Sequence, residues 1–431
     1  MIEVAAPQDP PTGARTVHGI ADVDLTRGDT FRSAIPHDAF DALRNAGGIA
    51  WHDEPPVAPE MDQGEFLEFV DSPGFWAVTR YDLVTTVLKS HQLFSSQLGG
   101  VFMFSLSPTS LTMFRLMLLN MDPPDHARLR RILTPIFMPK AVERLHTSVM
   151  ANAVEIADAV DASHTCDLVA SVSAEMPLRV LADLLGMPRE DRHLLFQWSN
   201  DLLDFESMDE RSDRDGAMGA FAGLMAYGQD IAQKRRNEPR DDVVSRIVHA
   251  EVDGERLSDM EFSLFWLLLV VAGNETTRNA LSGAVVALDD AGQWSWLAGH
   301  PSRLRVAIEE LLRFVSPVQH FRRTAVKDTV LGDQLVRAGD KVVVWYGAAN
   351  RDPAVFSDPH LLDLTREDNP HLAFGIGPHF CLGAHLARLE LSTMLGELLG
   401  RFPALRIDGP VERTPSNFIN GVRRLPVRFR P

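Results

Sequence analysis

Apolar positions recur every three to four residues along most of this chain and follow a strand-like pattern only in short stretches. Phe75–Thr79 reads as a strand, followed by a helix over Tyr81–Lys89. From Leu168 to Arg240 the spacing is helical throughout, with an acidic break at Glu206–Asp215 between Asp191–Phe205 and Ala217–Arg236. Ser258-Asp-Met-Glu261 has the form of a capping box, predicting a long helix through Leu267, Leu268 and Val271 to about Asp289. After Pro317 the chain turns strand-like at Phe321–Thr324, Thr329–Leu331 and Lys341–Tyr346. An irregular meander then runs from Asn350 to His371. Leu382, Leu386, Leu389 and Leu395 keep to one face of a further helix, which ends near Gly400 with Pro403 beyond.

Composition narrows the class. The 431 residues are 45% hydrophobic and 23% charged, as in soluble globular proteins. Length alone allows about three domains, but no Gly/Ser tract, long Pro run or repeat marks a linker. The expectation is therefore a flexible polar arm over residues 1–20 and a single domain over 21–431. The arm lacks the apolar core of a signal peptide. The longest apolar run, Leu264–Ala272, is too short to span a bilayer, so no membrane anchor is expected. Two cysteines, Cys166 and Cys381, argue against a disulfide framework and fit a reducing cytoplasm. A net charge of −17, from 42 basic and 59 acidic residues, argues against a nucleic-acid partner.

Chemistry concentrates at Phe374–Arg388, Phe-Gly-Ile-Gly-Pro-His-Phe-Cys-Leu-Gly-Ala-His-Leu-Ala-Arg. The cysteine sits in a glycine-dense loop just before a helix, where the backbone N–H groups favour a thiolate. A lone intracellular cysteine is most often only a small buried hydrophobe. Zinc on His379, Cys381 and His385 is the weaker reading, since the spacings are wrong and no second cysteine is near. The whole string decides. Phe374, Gly375, Gly377, His379, Cys381, Gly383 and Leu386-Ala387-Arg388 together resemble the haem-binding signature of the cytochrome P-450 family.

Four further strings resemble that family's motifs in their usual order. Asp122-Pro-Pro-Asp-His126-Ala-Arg-Leu-Arg130 is similar to the helix whose His and Arg bind a haem propionate; Arg323 matches a second propionate-binding arginine. Ala272-Gly273-Asn-Glu275-Thr276 is similar to the oxygen-binding motif, where glycine and threonine line the dioxygen groove and the acid–alcohol pair relays protons. Glu310, Arg313 and Arg366 match the structural Glu–Arg–Arg cluster. The resemblance covers about Asp24 to Phe429. It implies a mostly α fold with a small β region, and haem b between the long helix and the cysteine loop, with Cys381 as axial ligand. The segments flanking the acidic break would be a lid over the pocket.

The activity so implied is monooxygenation of a C–H bond with O₂, two electrons and two protons. Thr276 and Glu275 would guide protons; His126, Arg130, Arg323 and His379 would anchor propionates; Phe374, Gly375, Gly383, Ala272 and Gly273 would border the haem. With no flavin or iron–sulfur motif in the chain, electrons would come from a ferredoxin and its NAD(P)H-dependent reductase. Arg128 and Arg131 would offer positive charge to that partner. Val101, Phe102, Met103, Leu268, Ala272, Val318 and Phe418 are the candidate pocket residues, nearly all apolar. Asn369-Pro370-His371, the Ala272–Asn279 run and Phe418–Gly421 look most like actinobacterial hydroxylases of steroids, terpenoids or branched lipids. A peroxygenase using H₂O₂ is the first alternative, disfavoured by Glu275-Thr276. A non-catalytic haem sensor is the second.

Overall fold

The computed structural model describes residues 11, 13–57, 68–161, 165–206, 214–251 and 254–429. Most of the expected polar arm and the centre of the acidic break lie outside these residues. Helices dominate, and their ends follow local chemistry. Among them are α1 (Tyr81–Lys89), α2 (Asp125–Phe137), α3 (His146–Asp161), α4 (Glu175–Leu184), α5 (Arg192–Glu206) and α6 (Arg214–Asn237). The long α7 spans Asp259–Asp290 and is followed by α8 (Leu304–Val315) and α9 (Ala384–Arg401). Ser258 accepts from the Glu261 amide while Glu261 reaches back to the Ser258 amide at 2.8 Å, so α7 does begin with a capping box. No described helix is long and apolar enough to cross a membrane.

A five-stranded sheet forms from β1 (Ile49–Asp53), β2 (Gly74–Val78), β3 (Phe94–Ser95), β4 (His320–Ala325) and β5 (Lys341–Trp345), in the order β1-β2-β5-β4-β3. Only the β2–β5 pair is parallel. In the β4–β5 ladder Lys341 lies opposite Thr324, Val342 opposite Arg323, and Val343 opposite Arg322. Side chains alternate across a sheet. Val342 and Val344 therefore pack with Trp76 and Tyr346 on one face. Val343 and Trp345 pack with Phe31, Phe40 and Met103 on the other. The larger apolar core lies among the helices, where Trp266, Leu267 and Val270 of α7 meet residues of α3, α4, α8 and α9.

One buried ion cluster joins the helical core to the meander. Glu310 and Arg313, wholly buried on α8, form a two-pronged pair with both bonds at 2.7 Å. Arg313 also donates to the Asn350, Pro359 and Leu361 carbonyls. Glu310 accepts from Arg366 at 3.1 Å, from the Asp363 amide and from Asn369. Every charge is paired and nearly every bond ends on the meander. Glu309, the neighbouring residue, pairs with Arg388 of α9 through two bonds of 2.7 Å and with His371 at 3.1 Å. Burial works against that carboxylate's charge, but Arg388 and His371 outweigh it and hold Glu309 down at about 2. Removing one member of the Glu310 cluster leaves its partner charged and dry. Arg313→Met is expected to lower stability by about 3–5 kcal/mol, read as a shifted midpoint in urea unfolding.

Candidate active site

Cys381 lies three residues before α9. Its amide donates to the Phe374 carbonyl at 2.9 Å, closing the loop. Gly375 and Gly377 both take positive φ, +67° and +78°. A Cβ on Gly377 would sit 2.7 Å from the Leu88 carbonyl of α1, so only glycine allows the loop to approach so closely. The Arg388 guanidinium rests 4.5 Å over the Phe374 ring. The thiol departs from the sequence expectation. Burial pushes Cys381 upward, and the Gly383 N–H, Arg130 and Arg388 only partly counter it. The helix start alone does not make a thiolate here; a bound cation at sulfur would have to do so.

Four basic groups converge beside this loop. His126 and His379 face each other with ring centroids 4.1 Å apart. His379 meets the Ser96 hydroxyl at 3.2 Å, while the buried Nε2 of His126 has no hydrogen-bond partner. Burial and the nearby Arg130 press His126 down to about 4. Arg130 donates to the Phe380 carbonyl at 2.7 Å, next to the cysteine. Arg323 is only 3% exposed and makes a 2.7 Å bond to the Arg322 carbonyl. No carboxylate among the described residues lies within ion-pair distance of Arg130 or Arg323. A buried guanidinium without a counter-charge is costly. An anionic, planar group with carboxylates at its edge fits this surplus of charge and the orphaned imidazole.

In the middle of α7, Ala272 and Gly273 are exposed although Val270, Asn274 and Glu275 are buried. A Cβ at Gly273 would find only Leu181, at 3.9 Å, so a flat ligand has room there. The Thr276 hydroxyl donates to the Ala272 carbonyl at 2.7 Å. Glu275 accepts from Arg278 at 2.9 Å and from Asn279 at 2.5 Å through one oxygen; its other oxygen is buried without a partner. Burial pushes its carboxyl upward, against the pull of Arg278 and Asn279. Asn279, which sequence reasoning passed over, also accepts from the Val422 amide at 3.0 Å. It sits four residues beyond Glu275, on the same side of the helix, which was the available signal.

The candidate pocket residues separate into two groups. Phe102 meets Phe418 at 5.4 Å, Phe418 meets Phe321 at 5.6 Å, and Val318 bridges to Ile419 in the same turn. Leu268 is half-buried on α7. Val101 and Met103, by contrast, are buried, with Met103 packed towards Trp345. The expected docking arginines also separate. Arg128 pairs with Glu261 and lies 3.6 Å from Glu255, which holds it against the start of α7. Arg131 is exposed, beside a depression of about 580 Å³ that also borders His126, Arg130 and Pro378.

Comparison with known proteins agrees with this geometry. The family profile described as Cytochrome P450 matches residues 303–426. The methyl-branched lipid omega-hydroxylase of Mycobacterium bovis is 39% identical over 418 residues, covering 95% of each chain. The steroid C26-monooxygenase of Mycolicibacterium smegmatis is 36% identical over 384 residues, covering 86% of this chain and 89% of that one. The chain belongs to the cytochrome P450 family. Its architecture is accordingly that of a Mycobacterium marinum cytochrome P450 in complex with pseudoionone, with a TM-score of 0.82 and 38% identity over 91% of this chain and 94% of that one. This P450 is an oxidoreductase of the haem-thiolate monooxygenase class, and its relatives use redox partners.

Arg323→Met should leave the fold intact, because the stem is retained and no ion pair is broken. Haem transfer from this variant to apomyoglobin is expected to run about tenfold faster than from the parent, by the loss of one charge-assisted contact.

Proposed function

We propose that Cys381 ligates the iron of haem b and that the enzyme hydroxylates an apolar steroid, terpenoid or branched lipid, with electrons from a ferredoxin and its NAD(P)H-dependent reductase. The observation that carries this reading is the cluster of basic groups beside the cysteine loop that meets no carboxylate among the described residues, buried His126 and Arg323 with half-buried Arg130. When bound, haem supplies activation of O₂ for insertion of one oxygen atom into a C–H bond.

The chain's own residues bind, exclude water and carry protons. Arg323, Arg130 and His126 hold the propionates, with His379 against His126. Phe102, Phe418 and Phe321 form an aromatic wall that keeps water from the reacting carbon, and its apolar character sets the substrate class. Thr276 holds its proton towards the Ala272 carbonyl, which leaves its oxygen lone pairs open to accept a hydrogen bond from the pocket side. Glu275, raised by burial, keeps a proton at higher pH than an exposed carboxylate and can refill the threonine. Of the two arginines expected to meet an acidic electron donor, Arg131 is exposed, whereas Arg128 is held by Glu261.

The deciding measurement is the reduced carbon-monoxide spectrum of the reconstituted protein, where thiolate ligation is expected and an imidazole-type spectrum would refute it. Substrate-induced spin shifts are expected from apolar probes such as testosterone or pseudoionone. Absence of any shift across steroids, terpenoids and branched fatty acids would remove the substrate class. Thr276→Ala should bind such probes with unchanged affinity yet send most of its reducing equivalents to peroxide. Coupled turnover in that variant would refute the relay.

A further inference from the structure

Neighbouring arginines on β4 leave the sheet in opposite directions. Arg323 turns towards the cysteine loop. Arg322 shares the other face with Lys341 of β5, and both are buried. That face meets the backbone of residues 99–106, which precede and carry Phe102.

Arg322 donates to the Phe104 carbonyl at 3.0 Å and to the Ser105 hydroxyl at 3.3 Å, and its amide donates to the Val101 carbonyl at 2.7 Å. Lys341 donates to the Met103 carbonyl at 3.1 Å. Two carbonyls, of Met103 and Phe104, are thus satisfied by side chains of one sheet face and a third, of Val101, by the strand's own backbone; such groups would otherwise be buried without partners. The packing is tight, because a Cβ on Gly99 would fall 2.1 Å from the Arg322 guanidinium. Among the described residues one carboxylate, Glu54 just beyond β1, balances the two cations. It pairs directly with Lys341 and attracts Arg322 from farther away. Burial and the like charge of Arg322 press Lys341 down to about 7, against the pull of Glu54. Cations held under such strain of solvation persist only where their acceptors are well placed.

We infer that Arg322 and Lys341 are positioning residues that staple Val101–Ser105 to the sheet. They thereby fix the separation between Phe102 and Phe418, and with it the substrate specificity of the pocket. The inference rests on the assignment of those two rings to the pocket wall. Phe102 is stacked on Phe104, the residue whose carbonyl Arg322 holds, with centroids 5.4 Å apart and planes within 6°. A shift of that carbonyl therefore moves both rings. Neither cation has been assigned to the haem edge.

The test uses the haem-loaded enzyme and three variants: Arg322→Met, Arg322→Lys, and the double variant Lys341→Met/Glu54→Gln. The double variant removes the Lys341–Glu54 pair as a unit, so that neither of those two charges is left facing an apolar replacement. Hydrogen–deuterium exchange over Val101–Leu106 is compared with exchange over Val342–Trp345 in substrate-free protein. Exchange over 101–106 is expected to rise about tenfold in Arg322→Met and in the double variant, and less in Arg322→Lys, with the strand unchanged. Dissociation constants for testosterone or pseudoionone, read from spin-state titration, should rise about tenfold alongside. Unchanged exchange over 101–106 would overturn the staple whatever the titrations give. Equal loosening of the strand would also overturn it, because the variants would then act through general destabilisation. If the segment loosens and neither probe shifts the parent enzyme, the staple holds and the substrate class proposed above fails instead.

Discussion

The two-pronged bond between Glu310 and Arg313 is the constraint on which the site depends. The meander from Asn350 to His371 has almost no regular structure, and its carbonyls would wander without fixed donors. Arg313 takes three of them, at residues 350, 359 and 361, while Glu310 takes an amide and two side chains from 363 to 369. The meander ends two residues before Ala373-Phe374, where the cysteine loop begins. Glu309 then ties His371 and the first turns of α9 to the same helix. The loop that carries Cys381 is thereby clamped at both ends by adjacent residues of α8. The neighbouring positions divide the task by helix geometry: 310 points inward and is fully paired, whereas 309 stays half-buried at the edge.

The sheet divides its work in a similar way, by period two instead of 3.6. Arg322 and Arg323 are adjacent in the chain and opposite in space, and each is left by burial short of a counter-charge within reach. One faces the cofactor site and the other the pocket segment. A polar loop could fold over either face without such donors only by staying wet, and a wet pocket would not favour an apolar substrate. Buried cations in this protein therefore act as hydrogen-bond donors for irregular backbone, and their charge is the cost of carrying several N–H groups on one side chain.

Much of this was legible in the sequence wherever the signal is local. The capping box at Ser258–Glu261, the Glu310–Arg313 spacing, the strand at β5 and the α9 helix follow from neighbours a few residues apart, and the motif order pointed to the family. What was not legible depends on partners far along the chain. Arg128 reads as an open basic residue until α7 brings Glu261 to it across 133 positions. Met103 has the composition of a pocket residue, yet the segment's path buries it near Trp345. Lys341 opens a strand and gives no local hint that Glu54 and Met103 will enclose it. The Cys381 thiol adds a different lesson: the helix start lowers its proton affinity while burial raises it, and spacing carries no information about burial.

That last balance bears on how the site and the fold cooperate. Burial pushes the Cys381 thiol upward, the buried His126 Nε2 has no hydrogen-bond partner, and neither Arg130 nor Arg323 meets a carboxylate among the described residues. A single dianionic ligand with a metal at its centre would relieve all of these, since the metal would stabilise a thiolate and the carboxylates would meet the guanidinium groups. A ligand that binds only the folded state adds its binding free energy to stability, and here part of that gain would come from satisfying these groups. The excess of positive charge thus favours an anion at the rim, as the cysteine favours a metal at the centre. Haem would meet both demands with one rigid molecule, and on the proposed roles the same few residues would hold it while α7 and the aromatic wall govern protons and substrate.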